Sequence, residues 1–171
     1  FRVSYMVGTP FRGGLLHVSG ARSAESAEKS LLLRKKSMED NLRYTPADIT
    51  SLGEDEIFVF GSNLAGYHAG GAARTAMERF GAVWGQGTGL QGRSYAIPTM
   101  QGGVETIKPY VDEFLELARE WDQTTFLVTR VGCGIAGFTD EEIAPLFAGA
   151  LDLYNVVLPR EFVEVLRRRR P

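Results

Sequence analysis

"TTFLVTRVGCGIAGFTDEE" (124–142) runs from an apolar stretch through a string of small residues into a cluster of acids. The run 124–131 reads as a buried strand. Thr139 with Glu142 three residues on has the spacing of a capping box, which starts a helix. Ile143, Leu146, Phe147, Ala150 and Leu151 give that helix an apolar face. Between strand and helix stand Gly132, Gly134, Gly137 and the chain's one cysteine, Cys133. A loop with so little side chain lets backbone N–H groups approach a ligand closely. A helix start adds unpaired donors and partial positive charge, so the pair suits an anion. Asp140 to Glu142 favour the helix but oppose an anion on its axis. A phosphate is therefore expected along the backbone of 132–137.

Outward from this stretch the same design recurs. "EIFVFGS" (56–62) is a continuous apolar run ending in small residues, again a buried strand. "GSNLAGYHAGGAAR" (61–74) then leads through Asn63 and Gly70-Gly71 into a helix whose Ala73, Ala76, Met77 and Phe80 recur at helical spacing, with Gly81 at its C-terminal end. A second anion site and a plain, tightly packed helix start are equal readings of that loop. "SYAIPTM" (94–100) predicts a strand ending near Pro98. "IKPYVDEFLELAREW" (107–121) predicts an amphipathic helix with Pro109 in its first turn. "NVVLP" (155–159) predicts a last short strand. "GQGTGLQG" (85–92) has the glycine spacing of a dinucleotide fingerprint, but a strand follows it rather than a helix, so it reads as a mobile loop near the site. Strands apolar throughout are covered on both faces. Their alternation with helices predicts a three-layer α/β/α sandwich with a mixed, largely parallel sheet. Ligands in such sheets bind at the carboxyl ends of strands.

The chain has 171 residues, 44% of them hydrophobic, and a formal net charge of -2. That predicts one domain, 41–171, behind an N-terminal extension, 1–40, of unknown role. The extension carries seven basic residues against four acids. Its first 20 residues could hold two short strands and "SAESAEKSLLLRKKSMED" (23–40) a helix. The C-terminal "RRRRP" reads as a solvated tail. The near-neutral charge does not suggest a global electrostatic grip on nucleic acid. One cysteine excludes an internal disulfide and a Cys-rich metal site, and His17 and His68 stand too far apart in sequence to pair as metal ligands. No metal and no cofactor are expected. No apolar run approaches the roughly 18 residues of a membrane span. The start at Phe1 suits a fragment, and the N-terminal stretch, broken by Gly and Pro, does not read as a secretory signal. A reducing, cytoplasmic setting is the expectation.

Three ordered motifs resemble the macro domain, the ADP-ribose-binding module. "PADITSLGEDEIFVFGSN" (46–63) resembles its opening, "SNLAGYHAGGAARTAMERFGA" (62–82) its glycine-rich loop and helix, and "VGCGIAGF" (131–138) its second phosphate loop. The resemblance implies that Asp48, with Ile49 beside it, meets the adenine and that Asn63 hydrogen-bonds the distal ribose. It implies that Gly70, Gly71 and Ala72 line the ribose and diphosphate. Gly132, Cys133, Gly134, Ile135, Ala136 and Gly137 would cradle the diphosphate, and Phe138 would flank the distal ribose or cleft wall. Two departures bear on activity. Ala73 stands where one class of family hydrolases carries an acid, and Phe60-Gly61-Ser62-Asn63 lacks the first Asn of the usual Asn-Ala-Ala-Asn.

The function so implied is binding of ADP-ribose or a related NAD-derived nucleotide, with ADP-ribosylated protein as a further partner. Hydrolysis of an ADP-ribosyl bond would use water positioned by Asn63 and His68 as the catalytic pair. The alternative is a non-catalytic nucleotide-sensing or protein-interaction module. Cys133 is a nucleophile only if its pKa is lowered, and no partner is assignable to it from sequence. Arg93 and Arg130 face a choice between a phosphate and a salt bridge, and Tyr67 between stacking on a ligand and packing.

Overall fold

The computed structural model describes residues 24–33 and 43–170. The chain divides into two units, Phe1–Ser37 and Met38–Pro171. In the first, residues 24–33 form a helix, α1, within the helix expected over 23–40. The strands expected over 1–20 lie outside the described residues.

The second unit runs β1 (Glu56–Ser62), α2 (Gly71–Arg79), β2 (Gly89–Gln91), β3 (Ser94–Pro98), α3 (Val104–Glu120), β4 (Thr125–Val128) and α4 (Asp140–Ile143). A 3-10 helix (Ala144–Asp152), β5 (Val156–Val157) and α5 (Arg160–Arg168) complete it. The five strands make one sheet in the order β2-β3-β1-β4-β5. β1 pairs in parallel with β3 and β4, and β4 with β5; only β2–β3 is antiparallel. The fold class is thus α/β with a mixed, mostly parallel sheet. No described helix is long and apolar enough to cross a membrane.

Alternation along β1 divides the core. Ile57 and Val59 join the larger apolar cluster, built with Phe114 of α3, Phe147 of the 3-10 helix and Phe162 of α5. Phe58 and Phe60 join the smaller one, with Ala73, Ala76 and Phe80 at and beyond α2. Successive side chains of a strand point to opposite faces, so β1 is buried on both, as its unbroken apolar sequence requires. Beside β5, Thr45 donates its N–H to the Leu158 carbonyl (2.9 Å) and its hydroxyl to that of Val157 (2.8 Å), which fixes the segment that precedes β1.

The structure departs from the sequence reading at four elements. α3 starts at Val104, so Pro109 lies in its second turn and costs the helix the bond to the Glu105 carbonyl. The long helix expected after Thr139 stays α-helical for one turn only. Its capping box is present in full. The next ladder bond would need an N–H on Pro145, which has none, and the chain tightens into the 3-10 helix. The Glu141 carbonyl left over accepts from the guanidinium of Arg169 (3.2 Å). Arg169 belongs to the supposed solvated tail. Arg168, in the same run, closes α5 and pairs with the Glu141 carboxylate. The expected loop 85–92 contains β2, on the sheet edge.

Candidate functional site

Three parallel strands end together, and the loops that leave them enclose a cleft of about 320 Å³. Gly61, Ser62 and Asn63 come from the end of β1, Thr99 and Met100 from beyond β3, and Thr129 and Arg130 from beyond β4. The start of α2 contributes Gly70 to Ala73, and the second glycine loop contributes Gly132, Gly134, Ile135 and Ala136. The chain reverses its direction across the sheet here: β1 connects outward to β3 on one side, and β3 returns past β1 to β4. Such a switch point opens a crevice between diverging loops.

Backbone donors are the cleft's main polar equipment. Gly70 is the N-cap of α2 and has no side chain to cap it, so the ladder leaves the N–H groups of Gly71, Ala72 and Ala73 unpaired. In the second loop the bonds divide in two. Cys133 N–H donates to the Arg130 carbonyl, Gly137 N–H to Gly134 and Phe138 N–H to Gly132, at 3.0–3.1 Å. These three donors hold the loop's shape. No acceptor within the described residues takes the N–H of Gly134, Ile135 or Ala136. The Ile135 side chain reaches across to the first loop: its Cδ1 is 3.2 Å from where a Cβ on Gly70 would stand. The two glycine loops therefore meet.

The hydroxyl side chains of the cleft bond to the protein's own backbone. Ser62 donates to the Gly87 carbonyl, Thr99 to Ser62 (3.2 Å) and Thr129 to Val59 (2.8 Å). Asn63 uses both ends of its amide on one residue: Nδ2 donates to the Tyr67 carbonyl and Oδ1 accepts from its N–H, each at 2.9 Å. This clamp closes the loop 63–67. Arg130 is the one cation among the lining residues. Asp140 holds it by a two-pronged pair, Nε to Oδ1 at 3.0 Å and Nη2 to Oδ2 at 2.6 Å. The Arg130 side chain as a whole stays half exposed at the cleft. Among the described residues, no carboxylate, imidazole or thiol lines the cleft.

Several expected residues lie elsewhere. His68 is fully buried, not at the cleft surface. Its Nε2 meets Gln91 Oε1 at 3.3 Å, Nδ1 has no hydrogen-bond partner among the described residues, and its ring stands edge-on to Phe60 at 5.3 Å. It is a core residue and, unlike its expected catalytic partner Asn63, is not among the residues that line the cleft. Asp48 and Ile49 line a different hollow, with Tyr44, Pro46 and Leu127. Cys133 and Phe138 pack against the larger apolar cluster, and Gly137, like them, is absent from the cleft wall. Burial pushes the Cys133 thiol up to about 12, and the Asp140 carboxylate beside it pushes the same way. A neutral, half-buried thiol is a poor nucleophile. Arg93 is turned away as well, donating to the carbonyls of Gly53, Glu54 and Glu56. Asn63, Gly70, Gly71, Ala72, Gly132, Gly134, Ile135 and Ala136 do come together as expected.

The sequence reading passed over Ser62, Thr99, Met100 and Thr129. The carboxyl-end rule is the signal that could have found the last three: Thr99 and Thr129 each directly follow a strand, and Met100 is next to Thr99. No described group of His, Cys, Asp and Glu side chains could hold a metal ion. Compared with protein-family models, curated proteins and solved structures, the chain matches none.

Proposed function

We propose that the domain 41–171 is a macro-like binding module, a three-layer α/β/α sandwich whose cleft takes ADP-ribose or a related NAD-derived nucleotide. One observation carries the reading. Two strand-to-helix loops bring unpaired backbone N–H groups to one cleft, and among the described residues the only charge on its wall is the Arg130 cation. Two donor sets in one crevice suit a diphosphate better than a single phosphate. The placement of α2 against one apolar cluster and of α3, the 3-10 helix and α5 against the other supports the layered architecture.

The reading is binding rather than hydrolysis. Acid–base catalysis at the distal ribose needs a titratable group within hydrogen-bond reach, and His68 and Cys133 both lie off the cleft wall. Asn63 acts here as the clamp of its loop. Calorimetry with ADP-ribose tests the proposal: a one-to-one isotherm is expected, and no heat at millimolar ligand refutes it. Release of ADP-ribose from modified protein, assayed with wild type and Asn63→Ala, separates reader from hydrolase. Equal inactivity is expected; turnover lost on substitution would establish a hydrolase.

A further inference from the structure

At one end the cleft wall is aromatic. Tyr67 lines it, and the Tyr67 ring stacks on Trp84, with centroids 5.3 Å apart and planes 19° from parallel. Both rings are more than half exposed, 59% and 55%. Large aromatics left in water forgo the burial that normally stabilises them. Yet this pair is held by several independent ties. The Asn63 amide fixes both backbone groups of Tyr67. Gly85 N–H, next to Trp84, donates to the Gly66 carbonyl, next to Tyr67, at 2.9 Å. Gly66 (φ 69) permits the contact: a Cβ there would stand 2.3 Å from the Gln86 nitrogen. Sequence and backbone thus build a rigid, exposed stack of two rings beside the anion site.

We infer that the Tyr67–Trp84 stack is a subsite for a planar, cationic heterocycle carried at the ribose end of the nucleotide. The preferred ligand is then an intact oxidised nicotinamide dinucleotide rather than ADP-ribose. The inference rests on the diphosphate reading of the cleft. The ring faces of Tyr and Trp carry negative quadrupole charge, so they attract a cation that also stacks. An oxidised nicotinamide ring is flat and positive; ADP-ribose ends in a neutral sugar, and the reduced ring is uncharged. Met100 and Ile135, both exposed, give the cleft the further apolar wall that a flat ring would contact.

The test is calorimetry of the full chain with NAD+, NADH and ADP-ribose. Expected is roughly five- to tenfold tighter binding of NAD+ than of ADP-ribose, with NADH between them. Tyr67→Ala and Trp84→Ala should bring the NAD+ to ADP-ribose ratio to about one, and Tyr67→Phe should keep it. A second measurement leaves the pair intact: in Trp121→Phe protein, NAD+ should quench the emission of Trp84 more than ADP-ribose does. Equal affinity for NAD+ and ADP-ribose in the wild type, or a preference unchanged in both alanine variants, overturns the inference while leaving the anion site standing. Absence of binding by any of the three overturns both.

Discussion

Gly134→Glu separates binding from folding more sharply than any other single change here. A Cβ at Gly134 meets nothing within 4 Å, and its backbone is not in the left-handed region, so a side chain is admitted without strain. Gly134 does line the cleft, and its N–H is one of the unpaired donors. The fold should therefore tolerate the change, with stability within about 0.5 kcal/mol of wild type. Binding should not. A carboxylate placed about 5 Å from a phosphate repels it by about 3 kcal/mol at an effective dielectric near 20, a loss on the order of 100-fold in affinity.

The assay pairs thermal unfolding with calorimetry against ADP-ribose. Gly134→Gln, of nearly the same shape and no charge, divides the loss into space-filling and electrostatic parts, and should bind more tightly than Gly134→Glu. The gap should narrow as salt rises, because the repulsion at an open cleft is screened. An unchanged affinity for Gly134→Glu with an intact melting temperature would refute the reasoning, since the loop would then be structural only.

Gly132→Ala should do the reverse. Gly132 has φ 76, and a Cβ there would crowd Ile143 Cδ1 at 3.1 Å, so unfolding by denaturant should show a loss of about 1–3 kcal/mol. Cys133 should resist iodoacetamide at pH 8 in the folded protein and react readily in urea. Its folded pKa of about 12 lies above the ordinary 9.0. The thiol's stabilising contribution is therefore complete below about pH 9 and is lost as pH rises toward 12; rapid alkylation of the native protein at pH 8 would contradict this placement. His68→Ala should lower stability by about 2–4 kcal/mol by opening a cavity against Phe60, without a change in ligand affinity that exceeds the loss of folded protein.

What the sequence made legible follows from the range of the forces involved. Apolar period and capping are local, so β1, α2 and the Thr139–Glu142 box stood where expected. α5 was missed although Phe162, Val163, Val165 and Leu166 are buried on it. The four arginines after them suggested a tail, but long basic side chains serve a helix end well. The side-chain fates were least legible. His68 lies five residues past Asn63 in a glycine-rich loop, and only the tertiary contact with Gln91 and Phe60 reveals that its ring turns into the core. Asp48 precedes β1 by eight residues, and nothing local says which hollow it lines.

The loop 131–138 shows why glycine content alone does not define a ligand site. Gly132 is there because the chain must turn through a left-handed conformation against Ile143; any side chain is strained, with or without ligand. Gly134 has neither constraint. Its backbone would suit alanine or a larger residue, and replacing a glycine at a compatible position generally stabilises a fold by restricting the unfolded chain. A glycine kept where the fold does not require it forgoes that stability, and the open space in front of it is the cleft. The same holds for the start of α2. A serine or aspartate at Gly70 would cap the helix with its side chain and contribute a few tenths of a kcal/mol over glycine. It would also occupy the donors that Gly70 leaves open and press on Ile135. Both positions sacrifice local stability to keep backbone N–H groups bare, and both border the same cleft. That coincidence, rather than the number of glycines, is the physical argument for an anion between the two loops.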